Sequence, residues 1–146
     1  MASSTPNRVE QSPLPVNPIY QEYIGKQTFK AGEMGNVVSD GELDYPAAST
    51  VVSRTFVVEN VADARGIDDP YIVGELVRTR TLEVGQRIYA WLANGNSVNP
   101  SSRLVADGAG GLKLVTAETG KDVIARPVET LNNTSGVPAR LLVEVI

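Results

Sequence analysis

From Thr50 onward, apolar and polar positions alternate in short runs, each closed by a turn signal. Val51-Val52-Ser53-Arg54-Thr55-Phe56-Val57-Val58 is β-branched and aromatic almost throughout and too short for a long helix, which predicts a strand. Glu75 to Leu82 sets Val77, Thr79 and Thr81 on one face against Leu76, Arg78, Arg80 and Leu82 on the other, and Gly85 breaks the run. Gln86 to Leu92 alternates Ile88, Ala90 and Leu92 with Arg87, Tyr89 and Trp91, and the turn pair Asn94-Gly95 follows. Arg103-Leu104-Val105 and Leu112 to Val115 flank Asp107-Gly108-Ala109-Gly110-Gly111, the pattern of a hairpin whose glycines supply positive φ. Asp122 to Thr130 carries Pro127, which places that strand at an edge or a bulge. The last run, Ala139 to Ile146, puts Ala139, Leu141, Val143 and Val145 on one face.

The earlier part is less regular. Gly25 to Ala48 is rich in Gly, Asp and Glu and reads as turns joining short strands, and Asn60 to Gly66 reads as one helical turn or a loop. The first 18 residues hold Pro6, Pro13, Pro15 and Pro18; each fixes φ and removes a backbone donor, so an extended arm is expected over residues 1–24, ahead of a β domain over 25–146. Ile19, Tyr20, Tyr23, Ile24 and Phe29 form an apolar cluster that must land on the chain's own domain or on a neighbouring subunit. Strands separated by turns every 8 to 12 residues, with no long helical period, predict an all-β fold: an antiparallel sandwich or barrel, a jelly roll among the candidates.

Composition narrows the chemistry. Histidine and cysteine are both absent, which removes the commonest general base, the thiolate nucleophile, the disulfide and the usual zinc site. The formal charge of −4, with basic residues scattered, gives no footprint for nucleic acid, and no apolar run approaches the ~20 residues that span a bilayer. Synthesis and folding in a cytosol are expected. Gly120-Lys121 fails the phosphate-loop spacing, because Val115 and Asp122 stand where Gly and Ser or Thr are needed; Lys113 likewise breaks a dinucleotide pattern through Gly108 and Gly110. Asp63, Asp68, Asp69 and Asp107 match no calcium loop and read as turn residues. No carboxylate pair stands at a diagnostic spacing, so neither catalysis, metal nor cofactor is expected.

The remaining candidates are for binding. Arg87, Tyr89 and Trp91 share one strand face, and these are the residue types most enriched at interface hot spots; alternatively that strand is covered on both faces and the aromatics belong to the core. Pro13, Pro15, Pro18, Tyr20 and Tyr23 are the corresponding candidates in the arm.

The segment from Gly85 to Lys113, with Leu92-Ala93 and Gly95 closing a strand, then Leu104-Val105 and Asp107-Gly108 opening a hairpin, resembles the head decoration, or cement, proteins of tailed bacteriophages. Val123-Ile124-Ala125-Arg126-Pro127-Val128-Glu129 and Arg140-Leu141-Leu142-Val143-Glu144-Val145 follow in the order that group shows, so the likeness covers about residues 50 to 146. It implies a non-enzymatic β protein on the outer surface of an icosahedral capsid, whose partners are the major capsid protein and itself, as a homotrimer or, second, a dimer. The charge split suits such a surface: residues 1–73 carry 5 basic and 10 acidic groups (−5), residues 74–146 carry 8 and 7 (+1). The other expectation is a virion-displayed host-recognition or glycan-binding module that stacks Tyr89 and Trp91 on sugar rings.

Overall fold

The computed structural model describes residues 8–11, 20–39, 41–50, 54–60, 63–115 and 122–146. Its strands, in chain order, are β1 (Glu10–Gln11), β2 (Gln21–Gly25), β3 (Asn36–Ser39), β4 (Glu42–Asp44), β5 (Thr55–Val57), β6 (Leu76–Thr81), β7 (Arg87–Leu92), β8 (Ser97–Val98), β9 (Leu104–Ala106), β10 (Leu112–Leu114), β11 (Ala125–Pro127), β12 (Leu131–Asn132) and β13 (Ala139–Val145). The chain is all-β, as the alternation predicts.

One sheet runs β1-β7-β10-β9-β11-β13, and β13 also pairs with β7, so five of its strands close into a barrel. The closing ladder is long, from Ala139 opposite Leu92 to Glu144 opposite Arg87. Period-two alternation sends Ile88, Ala90 and Leu92 inward with Leu141, Val143 and Val145, where they meet Leu104, Ala106, Leu112 and Ala125; all are buried. The second sheet runs β3-β4-β2-β6-β5. Segment 32–35, just ahead of β3, bonds back to β5 through the Met34–Phe56 bridge, which draws the ends of that order together. Phe29, Leu43, Val57, Tyr71 and Val77 form its separate core. β5 serves both interiors, because Val57 points into this small core while Phe56 and Val58 join the barrel's.

Several elements depart from expectation. Most ladders are antiparallel, but β2–β4 and β7–β10 are parallel. β11 lies between β9 and β13 instead of at an edge or bulge. Pro127 is accommodated because β9 pairs only with Ala125, while Val128 N bonds Leu142 O, so the missing donor of Pro127 points to the side where the ladder has already ended. Between Asn60 and Gly66, Asn60 and Arg65 form a bridge that closes a tight loop, with Asp63 in a 3-10 turn and Ala64 at φ 54; residues 61–62 lie outside the described residues. So do Val51, Val52 and Ser53 of the predicted strand, whose described part is β5.

The expected arm is woven into both sheets where it is described. Val9 is fully buried, its carbonyl accepting from Tyr89 N at 2.8 Å, and Glu10 pairs with Ile88. The prolines stand at 6, 13, 15 and 18, which leaves Val9 to Gln11 with their amide donors and thus free to extend a ladder. β2 pairs antiparallel with β6 and parallel with β4. Pro13, Pro15 and Pro18 lie outside the described residues.

Candidate functional site

The outer face of β6 changes character along its length. Val77 and Thr79 point inward and are buried, so Leu76, Arg78 and Arg80 point out. Arg80 is nonetheless buried, because the N-terminal segment lies over it and brings Glu10 to its guanidinium. Arg78 is half-covered by Tyr20, whose ring centroid lies 3.8 Å from the guanidinium carbon. The Tyr20 hydroxyl donates to Glu10 Oε1 at 2.8 Å; burial first, and that carboxylate second, push the phenol above its ordinary range. Beyond Tyr20 the cover stops, and Leu76 stands in solvent.

Around Leu76 the backbone gathers further aliphatic groups. Ile24 sits directly opposite it across the β2–β6 ladder. Gly25 N bonds Glu75 O at 3.0 Å, Gly74 N bonds Gly25 O at 2.9 Å and Glu75 N bonds Ile72 O at 3.0 Å, which folds the 72–75 turn against the end of β2. The result is a patch of Ile24, Ile72, Val73 and Leu76, exposed by 47, 60, 58 and 58% respectively. Single exposed aliphatics are ordinary, but four brought together at one end of a sheet are a candidate interaction surface.

The rim of the patch is charged and internally paired. Lys26 meets Glu42 at 3.9 Å, Arg65 meets Glu75 at 2.5 Å, and Glu22 faces Arg78 across the ladder. Beside Ile72 lies a shallow open depression lined by Asp63, Arg65, Asp69 and Glu75. Arg65 bonds Pro70 O and Glu75 and lies 4.5 Å from the Tyr71 ring centroid, and with three carboxylates against this one guanidinium the depression is acidic in balance. An apolar centre with a polar rim is the ordinary anatomy of a protein–protein contact.

The residues singled out from sequence are distributed differently. Tyr23 is half-buried against the small core and donates to Gln21 Oε1. Tyr89 is buried. Trp91 is half-buried, donates from Nε1 to Ala31 O at 3.0 Å, and has Lys30 and Arg140 each 4.6 Å from its ring centroid. Arg87 and Arg126 converge on the Glu144 carboxylate, at 3.3 and 2.7 Å, and hold it below the usual carboxylate range, with the Arg126 hydrogen bond the largest cause. β7 is therefore the doubly covered strand of the two alternatives. Tyr20 and Tyr23 land on their own fold, while Ile24 of the same cluster does not.

Ile72, Val73 and Leu76 were not prominent in sequence, although one signal was available. Ile72-Val73 stands between Pro70 and Gly74, in a turn that offers no interior to receive it, and Leu76 shares its strand face with two arginines. Among the described residues no three His, Cys, Asp or Glu side chains are grouped to hold a metal ion, and no helix is long and apolar enough to cross a membrane.

No protein-family model matches the sequence, and no curated protein does. Among solved structures the chain is similar to the N base of the head fibre gp8.5 of bacteriophage phi29, with a TM-score of 0.55 at 13% identity, covering 88% of this chain and 97% of that one. At that identity the likeness is one of fold.

Proposed function

We propose that the protein is a structural component of a bacteriophage virion: a decoration, or cement, protein that binds the outer surface of the icosahedral capsid and bridges adjacent major capsid subunits. The observation that carries this reading is the fold shared with a phage head-fibre base over nearly its whole length. It agrees with the sequence resemblance of residues 50 to 146 to cement proteins. The aliphatic patch on β2 and β6 supplies the contact that such a protein needs.

The mechanism is mass action. Each copy binds the assembled shell and not its separated subunits, so binding adds free energy to the assembled state alone and resists the pressure of packaged DNA. Association of copies, as a trimer first and a dimer second, multiplies the effective affinity by linking several moderate contacts. Ile24, Ile72, Val73 and Leu76 dock on the shell subunit or on a neighbouring copy, and Pro13, Pro15 and Pro18 lie close enough in sequence to β2 to add to that contact.

Mixing the protein with undecorated shells tests the reading. Co-sedimentation with the shells and a raised shell-disruption temperature are expected; a protein that stays in the supernatant and leaves that temperature unchanged overturns it. The glycan-binding alternative has less support, since Tyr89 is buried and the Trp91 ring already has Lys30 and Arg140 each 4.6 Å from its centroid.

A further inference from the structure

Glu33 lies where the two sheets are joined. Its segment is held to β5 by Gly32 N to Val57 O, Val57 N to Glu33 O and Gly35 N to Thr55 O, at 2.8 to 3.0 Å. The same segment reaches the β9–β10 hairpin through Met34 N, which donates to Gly110 O at 2.7 Å. The Glu33 side chain is only 6% exposed and packs against the tip of that hairpin. A Cβ built on Gly110 would stand 3.0 Å from Glu33 Oε2 and 2.8 Å from Tyr45 Cε1, so the glycine is clasped between a carboxylate and a ring.

The charged and titratable groups facing Glu33 come from three places. Lys30, in its own turn, donates its backbone N–H to Oε1 at 2.5 Å, while its ammonium lies over the Trp91 ring. Asp107 approaches from the hairpin and accepts from Ala109 N and Gly111 N. Tyr45, after β4, directs its hydroxyl to Thr28 O at 2.6 Å and so offers Glu33 no proton. A carboxylate placed this way has one backbone donor, only the more distant pull of the Lys30 ammonium to offset its charge, and a second carboxylate nearby.

We propose that Glu33 is a proton-operated latch between the sheets: protonated, it lets the hairpin tip close on segment 32–35; ionised, it sets a buried charge against Gly110 and near Asp107 and loosens the Met34–Gly110 contact. Burial supports this, pushing Glu33 up to about 7 from 4.5 against the opposing pull of Lys30. Because the folded value lies above the unfolded one, the proton's contribution is complete below about 4.5 and is lost as pH rises through about 7. The latch is independent of shell binding.

Native-state hydrogen exchange on the full chain tests it, with intrinsic rates corrected and the Tyr89 amide, bonded to Val9 O in the barrel, as reference. The expected result is that protection of the Met34 amide falls about tenfold or more relative to Tyr89 between the two sides of pH 7. In Glu33→Gln that relative step disappears and Met34 stays protected. A step that persists in the variant, or a Met34 amide whose relative protection ignores pH, overturns the proposal. Should the variant fail to fold, the side-chain carbonyl resonance of Glu33 in the unaltered protein decides: a midpoint near 7 supports the latch, and one in the ordinary carboxylate range refutes it.

Discussion

The guanidinium of Arg80 and the carboxylate of Glu10 meet inside the protein, 3 and 2% exposed, and tie the N-terminal strand to the second sheet. Gln86 Oε1 takes a second Arg80 hydrogen bond at 2.9 Å, and Tyr20 donates to the other Glu10 oxygen. Removing one partner leaves a buried charge without its counterpart, so Glu10→Ala is expected to destabilise by ~3–5 kcal/mol. The double variant Glu10→Leu with Arg80→Met should recover most of that loss. Chemical denaturation of the three proteins measures the difference.

Two glycines separate conformational cost from crowding. Gly85 and Gly110 have nearly the same φ, 92 and 89°, but a Cβ at Gly85 meets open space while one at Gly110 enters the Tyr45 ring. Gly85→Ala should cost ~1–2 kcal/mol from left-handed backbone alone. Gly110→Ala should cost ~1–3 kcal/mol more, from overpacking. Equal losses in thermal unfolding would contradict the clasp.

Alkaline pH should weaken the small core. Tyr45 and Tyr71 are both pushed up to about 12, chiefly by burial, against an ordinary 10.0. Their protonated forms stabilise the fold fully below about 10, and that contribution is lost as pH rises through about 12. Tyrosinate absorbance of the folded protein should therefore show at least two late-titrating phenols, Tyr45 and Tyr71. Tyr71→Phe, which also leaves Val58 O without its 2.6 Å donor, should flatten part of the alkaline fall in stability.

Leu76→Lys changes a solvent-facing side chain and should alter stability by no more than ~0.5 kcal/mol. Its effect is expected on association: shell binding, measured by co-sedimentation, should fall by at least about tenfold if the patch holds a central contact. Val84→Lys, at a side chain more exposed still and beyond the other end of β6, is the control.

What the sequence discloses is governed by local periodicity. β13 alternates cleanly because one face of it meets the core and the other does not, and the β9–β10 hairpin announces itself through Asp107 and its glycines, where Asp107 Oδ1 bonds Ala109 N and Gly111 N. β7 is ambiguous because one face is buried and the other is partly covered, at Tyr89 and Trp91, so alternation alone does not say which side meets solvent. β1 is hidden by flanking prolines, and burial of Glu10, Arg80 and Glu33 depends on partners as far as 70 residues away and more, which no window of sequence contains. The aliphatic patch is illegible for the opposite reason: its members come from β2, the 72–75 turn and the start of β6, and only the ladder between β2 and β6 assembles a surface.

Because β13 returns to β7, the main-chain donors and acceptors with which Ala139–Glu144 and Arg87–Leu92 face each other are spent on one another. A neighbouring molecule finds no unfinished ladder there on which to zip itself strand by strand, even at high local concentration. Contacts along this wall must be made by side chains, which confer choosiness about the partner and disfavour open-ended fibre growth through the barrel.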